Sequence, residues 1–143
     1  FSPDGRWVAY SMVPAGNDNT SSSGAGIFVE PFPSTGSKYR ISNRGLHPLW
    51  SPDGKELFYS LGGLNATTVT TGRGFEFSIP VKIPGPFQSF SPTAARPYDI
   101  LPSGQQFIGS VPSGLGLAGV SSHIEIVLNW FEELKQHVPR ATH

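Results

Sequence analysis

The chain has 143 residues, and its ten basic and ten acidic side chains leave no formal net charge at pH 7. A nucleic-acid-binding protein normally carries a basic excess, so this balance disfavours that class, and no apolar run approaches the roughly 18 residues of a membrane span. The sequence has no cysteine, which excludes disulfides, zinc–thiolate sites and thiol nucleophiles within it.

The first predicted element is a tight turn followed by a strand, FSPDGRWVAYS at Phe1–Ser11. Pro3 presets φ for the first corner of the turn, Asp4 can bond back to the turn backbone, and Gly5 accepts a positive φ. The residues after the turn alternate between polar and apolar, as a strand with one packed face requires. The 17 glycines and 14 prolines of the chain fit many such short strands joined by turns.

The same string returns twice, as WSPDGKELFYS at Trp50–Ser60 and in degenerate form as ILPSGQQFIGS at Ile100–Ser110. The turn residues of these copies are Pro52, Asp53 and Gly54, then Pro102, Ser103 and Gly104. The turn prolines are 49 and 50 residues apart, and a period of about 50 with several strands predicts β-propeller blades. We interpret Asp4 and Asp53 as caps of their own turns rather than as ligands.

Further strands are predicted between and after the turns, at 25–32, 38–42, 46–50, 65–71, 77–83, 96–101 and 123–130. The sequence therefore predicts an all-β chain, a partial β-propeller of about two and a half to three four-stranded antiparallel blades. The blades are assigned to residues 1–45, 46–95 and 96–130.

The C-terminal segment departs from this pattern and predicts a short α-helix at residues 130–138. Its apolar residues, Trp130, Phe131, Leu134 and Val138, have helical spacing. Asn129 followed by Glu132 forms a plausible capping box.

The repeated SPDG turn with an aromatic-rich strand resembles the WD40-like, or PD40, repeat of TolB-type β-propellers. The segment HIEIVLNWFEEL at His123–Leu134 is similar to the C-terminal end of large bacterial proteins in which such a propeller follows a serine/threonine kinase or DNA-binding domain. The resemblance implies a propeller of six blades or more, used for binding, in the extracytoplasmic part of a bacterial protein. No kinase motif is present in these 143 residues.

Two to three blades do not close a ring, and the pattern starts and stops within a blade. Open sheet edges are templates for pairing with another strand. Three interpretations stay open. The chain is a fragment of a longer propeller, or two copies close one ring, or copies join edge to edge into an open assembly.

The remaining motifs give no support for catalysis. GLGLAG at residues 114–119 matches a dinucleotide loop, but a strand pattern follows it instead of a helix, and we interpret it as a loop. No two of the four histidines have metal-binding spacing, and no G-x-S-x-G elbow occurs. We therefore expect no enzyme activity, no cofactor and no metal.

We expect a non-catalytic module that senses a ligand or binds a protein or peptide, with a self-assembling structural subunit as the alternative. The candidate binding surface comprises His47, Phe87, Phe90, Arg96 and Tyr98. Asn19 and Asn65 match the glycosylation acceptor pattern.

Overall fold

A computed structural model describes residues 1–13, 26–72, 74–85, 87, 95–111 and 123–127. These residues form antiparallel strands and turns and contain no helix, which confirms the all-β class. The predicted C-terminal helix at 130–138 and the GLGLAG segment lie outside the described residues. The strands are β1 (Trp7–Met12), β2 (Gly26–Pro31), β3 (Tyr39–Ser42), β4 (Leu46–Trp50), β5 (Glu56–Ser60), β6 (Leu64–Thr70), β7 (Glu76–Phe77), β8 (Val81–Ile83), β9 (Tyr98–Ile100), β10 (Phe107–Val111) and β11 (His123–Val127).

The strands form three sheets that follow the three sequence repeats. Sheet I has the order β1-β2-β3, and sheet II has the order β4-β5-β6-β7, with β8 also paired to β6. Sheet III has the order β9-β10-β11. In each sheet, the strand that follows the turn proline pairs with the next strand along the chain.

The segment predicted as one strand at 77–83 is divided into β7 and β8, so that prediction is wrong in its middle part. Both pieces pair with β6. Between them stands Pro80, which has no N–H to donate to a neighbouring strand. Ser78 keeps one ladder bond, from its N–H to the carbonyl of Thr68 at 3.0 Å.

Alternate residues of a strand point to opposite faces of its sheet, and we name these faces by repeat position. The front face carries the fourth and sixth residues after the turn proline, which are Trp7 and Ala9 in sheet I. The back face carries the fifth and seventh, which are Leu57 and Tyr59 in sheet II. The front of sheet I packs on the back of sheet II around one buried cluster: Ile27, Val29, Ile41, Trp50, Leu57, Tyr59, Val69 and Phe75.

The front of sheet II packs in the same way on the back of sheet III. The second cluster comprises Phe58, Leu64, Ala66, Ile83, Phe87, Tyr98 and Phe107. Leu57 and Phe58 are adjacent in sequence and both fully buried, because they face different neighbouring sheets. Burial of one such side chain stabilises the fold by about 1.5–3 kcal/mol. Sheet II is thus the central layer, and all three sheets are stacked front to back.

Candidate binding site

The turn before β5 has a side-chain hydrogen-bond network centred on one hydroxyl group. The Oγ of Ser51 donates a hydrogen bond to Oδ1 of Asp53 at 2.7 Å and accepts one from the N–H of Glu56 at 2.9 Å. The same Asp53 oxygen accepts the N–H of Lys55 at 3.1 Å. Burial alone would raise the pKa of Asp53, but these donors outweigh it and hold that pKa below its ordinary value.

The turn before β1 has the same arrangement. Ser2 donates to Asp4 at 2.6 Å and accepts the N–H of Trp7 at 3.0 Å. The hydroxyl of Ser2, followed by the N–H and guanidinium of Arg6, lowers the pKa of Asp4 to about 2. Both aspartates therefore bond to their own turns, as the sequence pattern suggests.

The third turn lacks this network because Leu101 stands where the other two turns have serine. Its backbone bond from the N–H of Gly104 to the carbonyl of Leu101, at 2.8 Å, is kept. Ser103 supplies only a long contact, accepting the N–H of Gln105 at 3.4 Å. The side chains of this turn are consequently less tied to their own backbone.

Successive turns stack against one another in a row. A Cβ added to Gly54 would lie 3.4 Å from Cδ of Pro3, and one added to Gly104 would lie 3.7 Å from Cδ of Pro52. Both glycines have a φ near +70°, a conformation that side chains disfavour. Gly54 and Gly104 thus each lie against the proline of the preceding turn.

The row has two gaps of different size. The gap between the first and second turns encloses about 110 Å³ and is bordered by Asp4, Asp53 and Thr71. The gap between the second and third turns encloses about 390 Å³. Its lining residues are Ser51, Pro52, Asp53, Glu56, Pro102, Ser103, Gly104 and Gln105, and we call this space the turn cleft.

The residue four positions after the turn proline differs between the two junctions. At the first junction it is Trp7, whose ring lies 5.0 Å from that of Phe75 and 6.0 Å from that of Tyr39. At the second junction it is Glu56, whose side chain borders the turn cleft. Glu56 therefore borders the turn cleft at the repeat position where, in the first junction, Trp7 packs among aromatic rings.

The turn cleft is rich in hydrogen-bond acceptors. Burial, followed by the negative charge of Asp53, raises the pKa of Glu56 to about 7. The lining also presents the hydroxyl of Ser103 and the amide of Gln105. None of the lining residues is basic, although Nζ of Lys55 lies 3.9 Å from Oδ2 of Asp53. An ammonium or guanidinium group entering the cleft would relieve the repulsion between the two carboxyl groups.

The aromatic residues expected at a binding surface lie in the core instead. Phe87 and Tyr98 are only 5% and 4% exposed, because both rings fill the junction between sheets II and III. The hydroxyl of Tyr98 donates to the carbonyl of His47 across that junction. Their burial corrects the expectation that these two rings form a surface for a ligand.

Arg96 is exposed, but it is engaged locally. Its Nε donates to the carbonyl of Tyr98 at 2.9 Å, and its Nη2 lies 3.4 Å from the carboxylate of Asp99. Phe90 and Asn19 lie outside the described residues.

Asn65, the second glycosylation candidate, lies in β6. Its side-chain amide donates to the carbonyls of Leu61 and Gly63, at 3.1 and 3.2 Å. The hydroxyl residue of the pattern, Thr67, is 1% exposed and donates to the carbonyl of Ser78 at 2.7 Å. The folded chain therefore presents an acceptor pattern that is already hydrogen-bonded, and glycosylation stays a prediction.

Sequence reasoning missed Ser51 and Glu56. The available signal was internal: aligning the repeats on their prolines shows serine one residue before the proline in two copies and leucine in the third. In the same alignment, Glu56 occupies the position that Trp7 occupies in the first copy. A charged residue at a position that is tryptophan in the first repeat and glutamine in the third was the sign of a different local environment.

No protein-family model, curated protein or solved structure matches the chain. Within the described ranges, no group of three or more histidine, aspartate or glutamate side chains is placed to hold a metal ion. The same ranges contain no helix that is long and apolar enough to cross a membrane.

Proposed function

We propose that this chain is a non-catalytic binding module of the β-propeller type, and that its turn cleft receives a basic side chain of a protein or peptide partner. The main support for this proposal is the turn cleft, which is about 390 Å³ in volume. Its lining includes the carboxyl groups of Asp53 and Glu56 and no basic residue. Volumes of this order, roughly 300–1,000 Å³, are those of sites that hold ligand groups.

The scaffold supports this proposal because the cleft lies between stacked turns. Asp53 is fixed by Ser51 and the backbone, so it is oriented before any ligand arrives. A preoriented carboxylate loses little conformational freedom on binding, which favours affinity. Charge-assisted hydrogen bonds from a guanidinium to carboxylates are also stronger than neutral ones.

The propeller part of the proposal is supported by the repeat of about 50 residues and by the front-to-back stacking of three antiparallel sheets. Each repeat contributes a turn and a sheet, which builds a broad surface with variable loops. The extracytoplasmic, bacterial setting belongs to the same proposal and rests on the resemblance of the repeat alone.

The test is binding of fluorescein-labelled Gly-Arg-Gly-Arg-Gly, followed by fluorescence anisotropy at pH 8 and low salt, with Gly-Glu-Gly-Glu-Gly as the control peptide. We expect the arginine peptide to bind and the glutamate peptide not to bind. In a ¹⁵N-labelled sample, the amide signals of Gly104 and Gln105 should shift on titration.

Matched variants locate the binding. Glu56→Gln should lower the affinity for the arginine peptide at least about fivefold, which corresponds to about 1 kcal/mol of binding free energy. Glu76→Gln removes an equal charge from the exposed strand β7 and should leave affinity unchanged. Equal binding of the two peptides, or equal weakening by both variants, would contradict a site in the turn cleft.

A further inference from the structure

A basic residue stands beside the turn aspartate in the first two repeats. The residue three positions after the turn proline is Arg6 in the first repeat, Lys55 in the second and the uncharged Gln105 in the third. Nζ of Lys55 lies 3.9 Å from Oδ2 of Asp53, and Asp53 borders the turn cleft. A cation therefore already stands at one of the two carboxyl groups that a basic ligand would contact.

The first turn has a closed pair of this kind. Nε of Arg6 donates a hydrogen bond to Oδ2 of Asp4 at 2.7 Å. The other carboxylate oxygen of Asp4 accepts the hydroxyl of Ser2 and the N–H of Arg6. Both oxygens of Asp4 thus have donors from their own turn, and the gap beside this turn is the smaller one, at about 110 Å³.

The second turn holds its cation less tightly. At 3.9 Å, the Lys55 ammonium and the Asp53 carboxylate attract each other, but they lie beyond the roughly 2.7–3.2 Å of a hydrogen bond. The two side chains are 78% and 59% exposed, and ion pairs with such exposure are weak because solvent screens them. A guanidinium that makes two charge-assisted hydrogen bonds is the stronger partner for a carboxylate. Such a ligand can therefore displace Lys55 from Asp53.

The backbone of Lys55 is fixed, so that displacement involves its side chain alone. Its N–H donates to Oδ1 of Asp53 at 3.1 Å, and its carbonyl accepts the N–H of Val69 at 2.8 Å. A flexible four-carbon stem connects this anchored backbone to the ammonium. Rotation of the stem moves the charge from Asp53 into solvent and leaves the turn in place.

Lys55 compensates one carboxyl group of the turn cleft and not the other. Burial raises the pKa of Asp53, and the hydroxyl of Ser51, the N–H of Lys55 and the ammonium of Lys55 together lower it by more. The pKa of Glu56 is raised to about 7 by burial and then by the charge of Asp53. A basic ligand therefore competes with Lys55 at Asp53, whereas Glu56 has no such competitor in its own turn.

We propose that Lys55 is a gating residue of the turn cleft: its ammonium lies beside Asp53, competes there with the basic group of the partner and lowers the affinity of the cleft for that group. This inference rests on the proposed binding of a basic side chain in the turn cleft. It adds regulation to that site, since any change that removes the charge of Lys55 should raise the affinity of the cleft for its partner.

The test is the affinity for fluorescein-labelled Gly-Arg-Gly-Arg-Gly, measured by anisotropy at pH 8. Salt at about 0.15 M screens charges that lie more than about 8 Å apart, so distant charges contribute little. Lys55→Met removes the ammonium and keeps an unbranched side chain, and it should bind the peptide at least about threefold more tightly than the wild type. Lys55→Arg keeps the charge and can form the closed pair seen at Arg6, so it should bind no more tightly than the wild type.

Arg6→Met is the matched control, because it removes an equal charge at the same repeat position beside Asp4. It should change the affinity for the peptide by less than about 1.5-fold. Lys55 and Arg6 are both exposed side chains, so neither substitution alters the buried clusters between the sheets.

A second background shows whether Lys55 acts through Asp53. Asp53→Asn keeps an oxygen that can accept the hydroxyl of Ser51, but it has no charge for the ammonium to contact. Adding Lys55→Met to this variant should leave the affinity within about 1.5-fold of that of Asp53→Asn alone. An undiminished effect of Lys55→Met in this background would contradict the gating role.

The outcomes separate the gating role from the proposed function. If the wild type binds the peptide but Lys55→Met binds no more tightly, or Arg6→Met gains as much as Lys55→Met, the gating role is overturned and the binding site stands. If neither the wild type nor Lys55→Met binds, the proposed function fails and the gating role fails with it. Binding by Lys55→Met alone would support the gating role, with Lys55 excluding the peptide from the wild type.

Discussion

The hydroxyl of Tyr98 donates a hydrogen bond to the main-chain carbonyl of His47, a residue 51 positions earlier in the chain. His47 has a φ of 56° and lies where the pairing of β4 with β5 shifts register. Burial raises the pKa of Tyr98, so the phenol stays protonated and remains a donor. The irregular part of sheet II is thus tied to the first strand of sheet III.

Tyr98→Phe should lower the free energy of unfolding by about 1–2 kcal/mol, because it removes the donor and leaves a polar group at the junction without that partner. Urea denaturation followed by tryptophan fluorescence measures the change. Tyr39→Phe is the control, since Tyr39 is a partly buried ring at the other junction. Removing its hydroxyl should lower the free energy of unfolding by less than about 0.5 kcal/mol. Equal effects would mean that the hydrogen bond to His47 contributes nothing specific.

Ser51→Ala should destabilise the chain by about 1–2 kcal/mol, because the hydroxyl both orients Asp53 and accepts the N–H of Glu56. Ser103→Ala removes a single 3.4 Å contact in the degenerate third turn and should change stability by less than about 0.5 kcal/mol. The comparison uses thermal and urea unfolding of both variants. A larger loss for Ser103→Ala would contradict the assigned roles of the two turns.

Glu56 should make the folded chain less stable as pH rises from about 4.5 to about 7. Its pKa is raised from 4.5 to about 7 in the folded state, so the folded chain holds a proton in this window that the unfolded chain has released. The contribution is fully present below pH 4.5 and is lost by pH 7. Because the Glu56 side chain is partly exposed, solvent screening reduces its contribution to the free energy of unfolding to on the order of 1 kcal/mol.

Unfolding free energies at pH 5 and pH 8 measure this slope. Glu56→Gln should lessen the difference between the two values, and Glu76→Gln, on an exposed strand, should retain it. The lowered pKa of Asp53 affects a more acidic range and leaves this window unchanged. An unaltered slope in Glu56→Gln would show that another group is responsible.

The same carboxyl group should make peptide binding depend on pH. With a pKa of about 7, Glu56 is mostly neutral at pH 6 and mostly ionised at pH 8. The arginine peptide should therefore bind up to about tenfold more tightly at pH 8 than at pH 6. Anisotropy titrations at constant ionic strength test this, and Glu56→Gln should bind weakly at both pH values with little difference between them.

The sequence by itself determined the local elements. Proline, aspartate or serine, and glycine have intrinsic backbone and hydrogen-bonding preferences, so each turn could be located from a few adjacent residues. The alternation after each turn depends only on strand geometry, and it correctly located β1, β5 and β10. The interruption by Pro80 could also have been derived locally, from its missing N–H.

Only the tertiary structure decided which faces meet and what lies between them. Alternation separates two faces but does not say which neighbouring sheet covers each, so Phe87 and Tyr98 could not be assigned to the core from their own surroundings in sequence. The turn cleft depends in the same way on the distance between turns 50 residues apart and on Glu56 standing where the first junction has Trp7. Burial and cavity volume arise from contacts between distant segments, and such contacts become fixed only when the sheets stack.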